Sequence, residues 1–209
     1  MYFDKIDIQN LEKLNRINLA NSITGIKPAL LVGTKNSKNE TNLAIFSSIV
    51  HISSNPFLLG FFLRTNKKIR RDTFENITET QVYSFNHINS SMIKRAHHTS
   101  IKFEKTVSEF DVCKFKEEYI EDFVAPFVEE SNVKIGMSLR EIVEMECTES
   151  KLIIGKVEHL LLEHDYLEND FSLNLEKVNS ISVCGLNHYY ENIKNISLPY
   201  ARLKNITEI

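Results

Sequence analysis

The sequence predicts a mainly β fold: an antiparallel sheet closed into a barrel, with a few helices. Three observations carry that expectation. Val133, Ile135, Met137, Leu139, Val143, Met145 and Cys147 fall on odd positions, broken only at Glu141, while Lys134, Gly136, Ser138, Arg140, Glu144 and Glu146 fill the even ones. Such alternation is the period of one long half-buried strand, or of two joined by a bend near Arg140–Glu141. The apolar run Ala29–Val32, closed by Gly33 and followed by the polar KNSKNET, makes residues 29–34 and 42–50 a hairpin. Strand patterns outnumber helical ones, and no repeat or Pro/Gly-rich linker interrupts them, which suits sequential hairpins in a single domain over residues 1–209.

Taken in order, Leu11, Leu14 and Ile17 recur every three residues and predict an amphipathic helix over about 9–22, ending near Gly25 and Pro28. Phe57–Leu63 is apolar throughout, as in a strand covered on both faces. Asp72 with Glu75 has the spacing of a capping box and predicts a helix running to about Thr80. Val82–Ile88 reads as a strand and Ser90–His97 as a short helix. Lys151–Leu162 is the expected partner of the long strand, bending at Gly155, and residues from about 185 to 209 form a C-terminal extension.

The chain has 209 residues, 42% apolar and 25% charged, enough for one full core. A net charge of −3 gives nucleic acid no electrostatic footing. No apolar run approaches the ~18 residues of a membrane span, and the N-terminus lacks the apolar core of a signal peptide. Three scattered cysteines, Cys113, Cys147 and Cys184, suit neither a disulfide framework nor a metal site, and a reducing cytoplasm is the expected setting. Of seven histidines only His97 and His98 are adjacent, and neighbours on one element point apart, so no metal site is expected.

Chemistry concentrates between Asn42 and Thr80. Arg70 and Arg71 stand directly before the helix start at Asp72-Thr73. A helix N-terminus offers unpaired N–H groups and a positive dipole end, and guanidinium groups match phosphate oxygens in pairs. On the residues alone, the plainer reading of a capped surface helix with two solvated arginines stands ahead. The preceding strand adds Ser47, Ser48, Ser53 and Ser54 within an otherwise apolar segment. Polar donors beside apolar walls suit a flat, polar-edged ring, though serines facing water give the same pattern.

Further landmarks run through the chain in order. They are Asn42–Ser48 with Ser54-Asn55-Pro56, Arg71-Asp72-Thr73, Tyr83–Asn86, Ala96–Ser100, Val107–Phe110, Ala125-Pro126, Gly155–Glu158, and Cys184-Gly185-Leu186 with Tyr200-Ala201-Arg202. Together they resemble the flavin reductase-like proteins, a family that binds FMN in an antiparallel split β-barrel. The resemblance implies an FMN-binding oxidoreductase passing electrons from NAD(P)H to free flavin, a monooxygenase partner or another acceptor. It also implies a homodimer.

By the same resemblance, Asn42, Ala44, Phe46, Ser47 and Ser48 would line the flavin ring and its ribityl chain. Arg64, Arg71, Thr73 and Asn76 would hold the phosphate, while the stretch from His97 through Ser100 would lie near the flavin. The stretch Ile153–His159 lacks the Gly-Asp-His motif that accompanies nicotinamide binding in the smaller two-component reductases. Two other readings therefore stand beside the reductase: a flavoredoxin-like electron carrier without direct NAD(P)H use, and a non-enzymatic flavin-binding barrel.

Overall fold

The structure is a computed structural model that describes residues 1–65, 70–198, 200 and 202. Two short helices open the chain, α1 (Lys5–Asn10) and α2 (Lys13–Ser22). Strands β1 (Lys27–Pro28), β2 (Leu30–Lys35), β3 (Thr41–Phe46), β4 (Ile49–Ser54) and β5 (Phe57–Arg64) follow, then α3 (Asp72–Thr80) and β6 (Val82–His87). A turn of 3-10 helix at Ser90–Met92 leads into α4 (Ile93–His98), and then come α5 (Glu109–Val112), β7 (Glu117–Ile120) and β8 (Phe123–Val128). The long strands β9 (Val133–Glu144) and β10 (Ser150–Leu162) precede β11 (Ile181–Cys184) and β12 (His188–Glu191).

Seven strands form one antiparallel sheet in the order β3-β2-β6-β9-β10-β5-β4. Its two edge strands, β3 and β4, are consecutive in the chain and joined only by Ser47-Ser48. Laid flat, six interstrand spacings would set those edges about 29 Å apart. The three Cα steps from Phe46 to Ile49 reach at most about 11 Å. The sheet must therefore roll up until its edges meet at that corner. Among the described residues β3 and β4 share no ladder, so the barrel stays split along this seam.

The barrel interior is filled by Leu30, Val32, Phe61, Leu63, Tyr83, Phe85, Val133, Met137 and Ile153, with Ile77 of α3 packed into the same cluster. Outside the barrel, Leu31, Leu43, Ile88, Met92, Ala96, Phe110 and Val183 form a second core. Asn86 ties the two layers together, donating through Nδ2 to Leu31 O at 3.2 Å and accepting the Val128 amide at 2.9 Å through Oδ1. At the end of β6, His87 Nδ1 lies 2.9 Å from Ser180 Oγ.

Several expectations change in the structure. The helix expected over 9–22 is two helices, because the Asp4–Asp7 capping box starts α1 early and Leu11 leaves helical geometry. Residues 42–50 are not one strand: the chain turns the barrel corner at Ser47-Ser48. Asp72 does not cap α3. Its carboxylate pairs with Arg70 at 2.6 Å, the N-cap is Arg71, and no side chain caps the helix. Phe57–Leu63 is not covered on both faces, since Phe57 and Phe62 are exposed. In β9, Leu139 pairs with Gly155 and Glu141 with Ile154, leaving Arg140 as an extra residue. One extra residue inverts the faces that follow, so Ile142 packs on the core and the odd-position pattern stops there. Ala201 of the Tyr200-Ala201-Arg202 match, and residues 203–209 of the expected extension, lie outside the described residues.

Candidate functional site

At the seam β4 pairs with β5 only as far as Phe61, opposite Ile49. The end of β5, Phe62–Arg64, therefore has β10 on one side and open space on the other. An open groove of about 1080 Å³ occupies that space. Its walls are β3, the Ser47-Ser48 corner, the end of β5, the N-terminus of α3, the loop after α4, and one side of α2.

Both strand edges facing the seam have most of their backbone groups satisfied. On β5, Phe62 O accepts from Ser48 Oγ at 2.8 Å and Arg64 O from Arg71 Nε at 3.1 Å. On β3, the Leu43 amide donates to Glu109 Oε2 and the Ile45 amide to Thr99 Oγ1, each at 3.0 Å. Thr99 Oγ1 in turn donates to Ala96 O at 2.7 Å, which fixes its lone pairs toward Ile45. Ser47, the first residue past the end of β3, follows at the corner, and among the described residues its amide has no partner.

Where the two edges approach α3, the groove gathers groups of a kind that suit an anion. Arginine at the N-cap cannot accept a hydrogen bond, so the first amides of α3 keep their capacity to donate. Thr73, 5% exposed, accepts from Asn42 Nδ2 at 3.0 Å. A hydroxyl occupied as acceptor still has its proton to give. Five cationic side chains line the groove (Arg16, Arg64, Arg70, Arg71 and Lys102) against two carboxylates, Asp72 and Glu109. Asp72 is paired with Arg70, and burial pushes the Glu109 carboxyl above its usual range while the Leu43 amide pulls the other way.

Asn42, Ala44, Phe46, Ser47, Ser48, Arg64, Arg71, Thr73 and Ser100 all line this groove. Asn76 does not. It sits one layer behind, its Nδ2 donating to Thr34 Oγ1 at 3.1 Å; Thr34 also lies 3.5 Å from Asn42 Nδ2. His97 also stands outside, its Nδ1 3.0 Å from the Tyr189 hydroxyl, while its carbonyl accepts from Ser100 Oγ at 2.7 Å. The sequence placed Thr99 near the flavin only as part of the stretch from His97 through Ser100, and it did not single out Glu109 or the α2 wall. A lone glutamate at the start of a four-residue helix reads as a solvated end, and only the tertiary fold brings it to β3.

Fold and site together define a split-barrel protein with a ligand-sized groove at its open seam. Residues 26–192 match the flavin reductase like domain, and the chain belongs to that family of flavin-binding oxidoreductases. A split-barrel protein from Shewanella frigidimarina, assigned as a flavin reductase, superimposes with a TM-score of 0.91 at 36% identity, covering 96% of this chain and 100% of that one. Nitrilotriacetate monooxygenase component B from Bacillus cereus shares the fold, with a TM-score of 0.83 at 18% identity over 95% of this chain and 98% of that one. So does the flavoredoxin of Desulfovibrio vulgaris, at 0.72 and 18% identity over 84% and 92%. No curated protein sequence matches the chain. Among the described residues no helix is long and apolar enough to cross a membrane.

Proposed function

We propose that the groove holds FMN and that the protein is a flavin reductase, taking electrons from NAD(P)H and passing them to free flavin or to a partner such as a monooxygenase. The supporting observation is the convergence of two unlike surfaces in one groove. Arg71, Arg64, Thr73 and the uncapped amides of α3 suit a phosphate monoester, with Asn76 holding Thr34 behind them. Ala44, Phe46, Phe62 and the serines at the corner suit a flat ring with polar edges. Ser100 would lie beside the ring, with His97 buttressing it from outside. When bound, FMN supplies hydride acceptance and one-electron transfer; the residues bind it, orient it and shield it from water.

This reading takes residues 1–209 as one cytoplasmic domain. It includes a homodimer, supported by the apolar residues Val50 and Ile52 that the edge strand β4 leaves exposed. Light scattering on the purified protein tests the dimer.

One observation favours the electron carrier as a second reading. In the stretch without a Gly-Asp-His motif, His159 packs edge-on against Phe123 at 5.1 Å and does not line the groove. Lys156 and Glu158 pair with each other there.

The deciding experiment is an absorbance spectrum of the purified protein, followed by anaerobic NADH and then NADPH. Flavin bands that bleach with nicotinamide establish the reductase. Bands that persist until dithionite is added establish the carrier. A colourless protein that ignores added FMN overturns the assignment of the groove.

A further inference from the structure

We infer that Glu109 is a positioning residue for the flavin: with Thr99 it clamps the free edge of β3, so that Ser47 is left as the first edge amide open to a ligand. This inference rests on the reading of the groove as a flavin site.

An edge strand carries a row of unpaired amides. Left free, the outward N–H groups of Leu43, Ile45 and Ser47 would be equivalent donors, and a polar-edged ring could slide from one to the next. Two of the three are taken by the protein itself, at 3.0 Å each. Their acceptors come from separate segments, the α4 C-terminus and α5, and both line the groove. On the stretch of this edge that lines the groove, the ring therefore has one backbone donor left among the described residues, at the corner between the two halves of the seam.

The clamp also reaches the anion site. Alternate residues of β3 face opposite ways, so a strand held at Leu43 and Ile45 fixes Asn42 on its other face. Asn42 carries the hydrogen bond to Thr73. A shift of β3 along its edge would thus move the ring donor and the phosphate donor together.

A carboxylate is an expensive choice for this task. Glu109 is 8% exposed and stands in a groove otherwise rich in cations. The charged groups around it are Asp72 and Arg70 of the α3 start, with Cys113 one helical turn along its own segment. A simple edge cover needs no charge, as Thr99 shows two residues further along β3. A charge-assisted bond to Leu43 gives the stiffer anchor at the end of β3 nearer Asn42.

The test is an FMN titration of the wild type, Glu109→Gln, Glu109→Ala and Thr99→Val, read by dissociation constant and by the shape and position of the bound flavin's absorption bands. Glutamine keeps an oxygen for the Leu43 amide and is expected to retain the wild-type spectrum. Alanine is expected to bind about tenfold or more weakly, the scale of a lost charge-assisted bond, and to shift the bands. A purely structural role would lower the melting temperature of Glu109→Ala and leave the bound spectrum as it was, which overturns the inference. Should Glu109→Ala fail to fold, Thr99→Val decides: shifted bands support the clamp, and wild-type affinity with wild-type bands defeats it. A wild-type protein that binds no FMN fails at the earlier step, the reading of the groove, and the inference falls with it.

Discussion

Asn42 and Thr73, 31 residues apart in the chain, meet at 3.0 Å with the carboxamide Nδ2 donating to the hydroxyl Oγ1. The contact joins the seam strand β3 to the first turn of α3, so the two groove walls proposed for ring and phosphate are tied together. Thr73→Val keeps the shape and removes the acceptor, leaving Asn42 Nδ2 only the long 3.5 Å contact to Thr34. A buried donor stripped of its partner costs about 1–3 kcal/mol. Urea denaturation is expected to show a stability loss of that size, and FMN titration a weaker complex. Unchanged affinity would take Thr73 out of the phosphate set.

Arg71 has two tasks, capping the Arg64 carbonyl and facing the groove. Arg71→Ala is expected to weaken FMN by about 1.5–3 kcal/mol, the scale of a hydrogen bond to a charged group. Wild-type affinity should also fall as salt rises, because the contact is partly open to solvent. Isothermal titration at two ionic strengths checks both. A salt dependence that survives in the variant would assign the anion contact to other cations of the groove.

Tyr83 is fully buried in the barrel, and its hydroxyl finds no partner among the described residues. Gly155 lies against that hydroxyl, and a methyl group there would overlap it. Gly155→Ala is therefore expected to destabilise by about 1–3 kcal/mol, as overpacking does. Tyr83→Phe should be neutral or slightly stabilising, since it removes an unpaired polar atom. The double variant should recover part of the loss. Thermal unfolding of the four proteins measures that coupling, and strict additivity would mean that the two residues do not touch.

Burial pushes the His87 imidazole down from 6.5 to about 4. The unfolded chain then takes up its proton first as pH falls. Stability from a neutral buried His87 is complete above its ordinary value of 6.5 and drains away as pH drops toward 4. The loss amounts to about 3 kcal/mol at most. Unfolding free energies measured across that window should show a steeper acid slope for the wild type than for His87→Asn. Equal slopes would place the acid sensitivity in the carboxylates instead.

Much of the fold was legible because periodicity reports burial directly. The β2–β3 hairpin, α3, β6, β9 and β10 were all signalled by apolar spacing or by turn chemistry. The bulge at Arg140 was visible only as a choice between one strand and two, since alternation does not say which residue is extra. The corner at Ser47-Ser48 was hidden because serine suits both a strand and a bend. The α3 start was found but its cap misassigned: Asp72 had the right spacing, yet a neighbouring arginine took its carboxylate. Within the groove, the lining residues from Asn42 to Thr73 and Ser100 were readable, but the bonds that Glu109 and Thr99 make to β3 were not. Glu109 and Thr99 act through single bonds to backbone amides, and a backbone amide leaves no trace in sequence.

The open seam carries a thermodynamic consequence of its own. Among the described residues the rolled sheet's edges share no ladder that would lock it shut, and Phe62–Arg64 pair with a strand on one side only. A guest in the proposed site would touch β3 and β5 at once and so supply cross-links that the backbone omits. Occupancy and folding then share one equilibrium: ligand at a hundred times its dissociation constant deepens the native well by about 2.7 kcal/mol. Starving a cell of the guest would thin the folded population before any loss of turnover could be ascribed to an empty site.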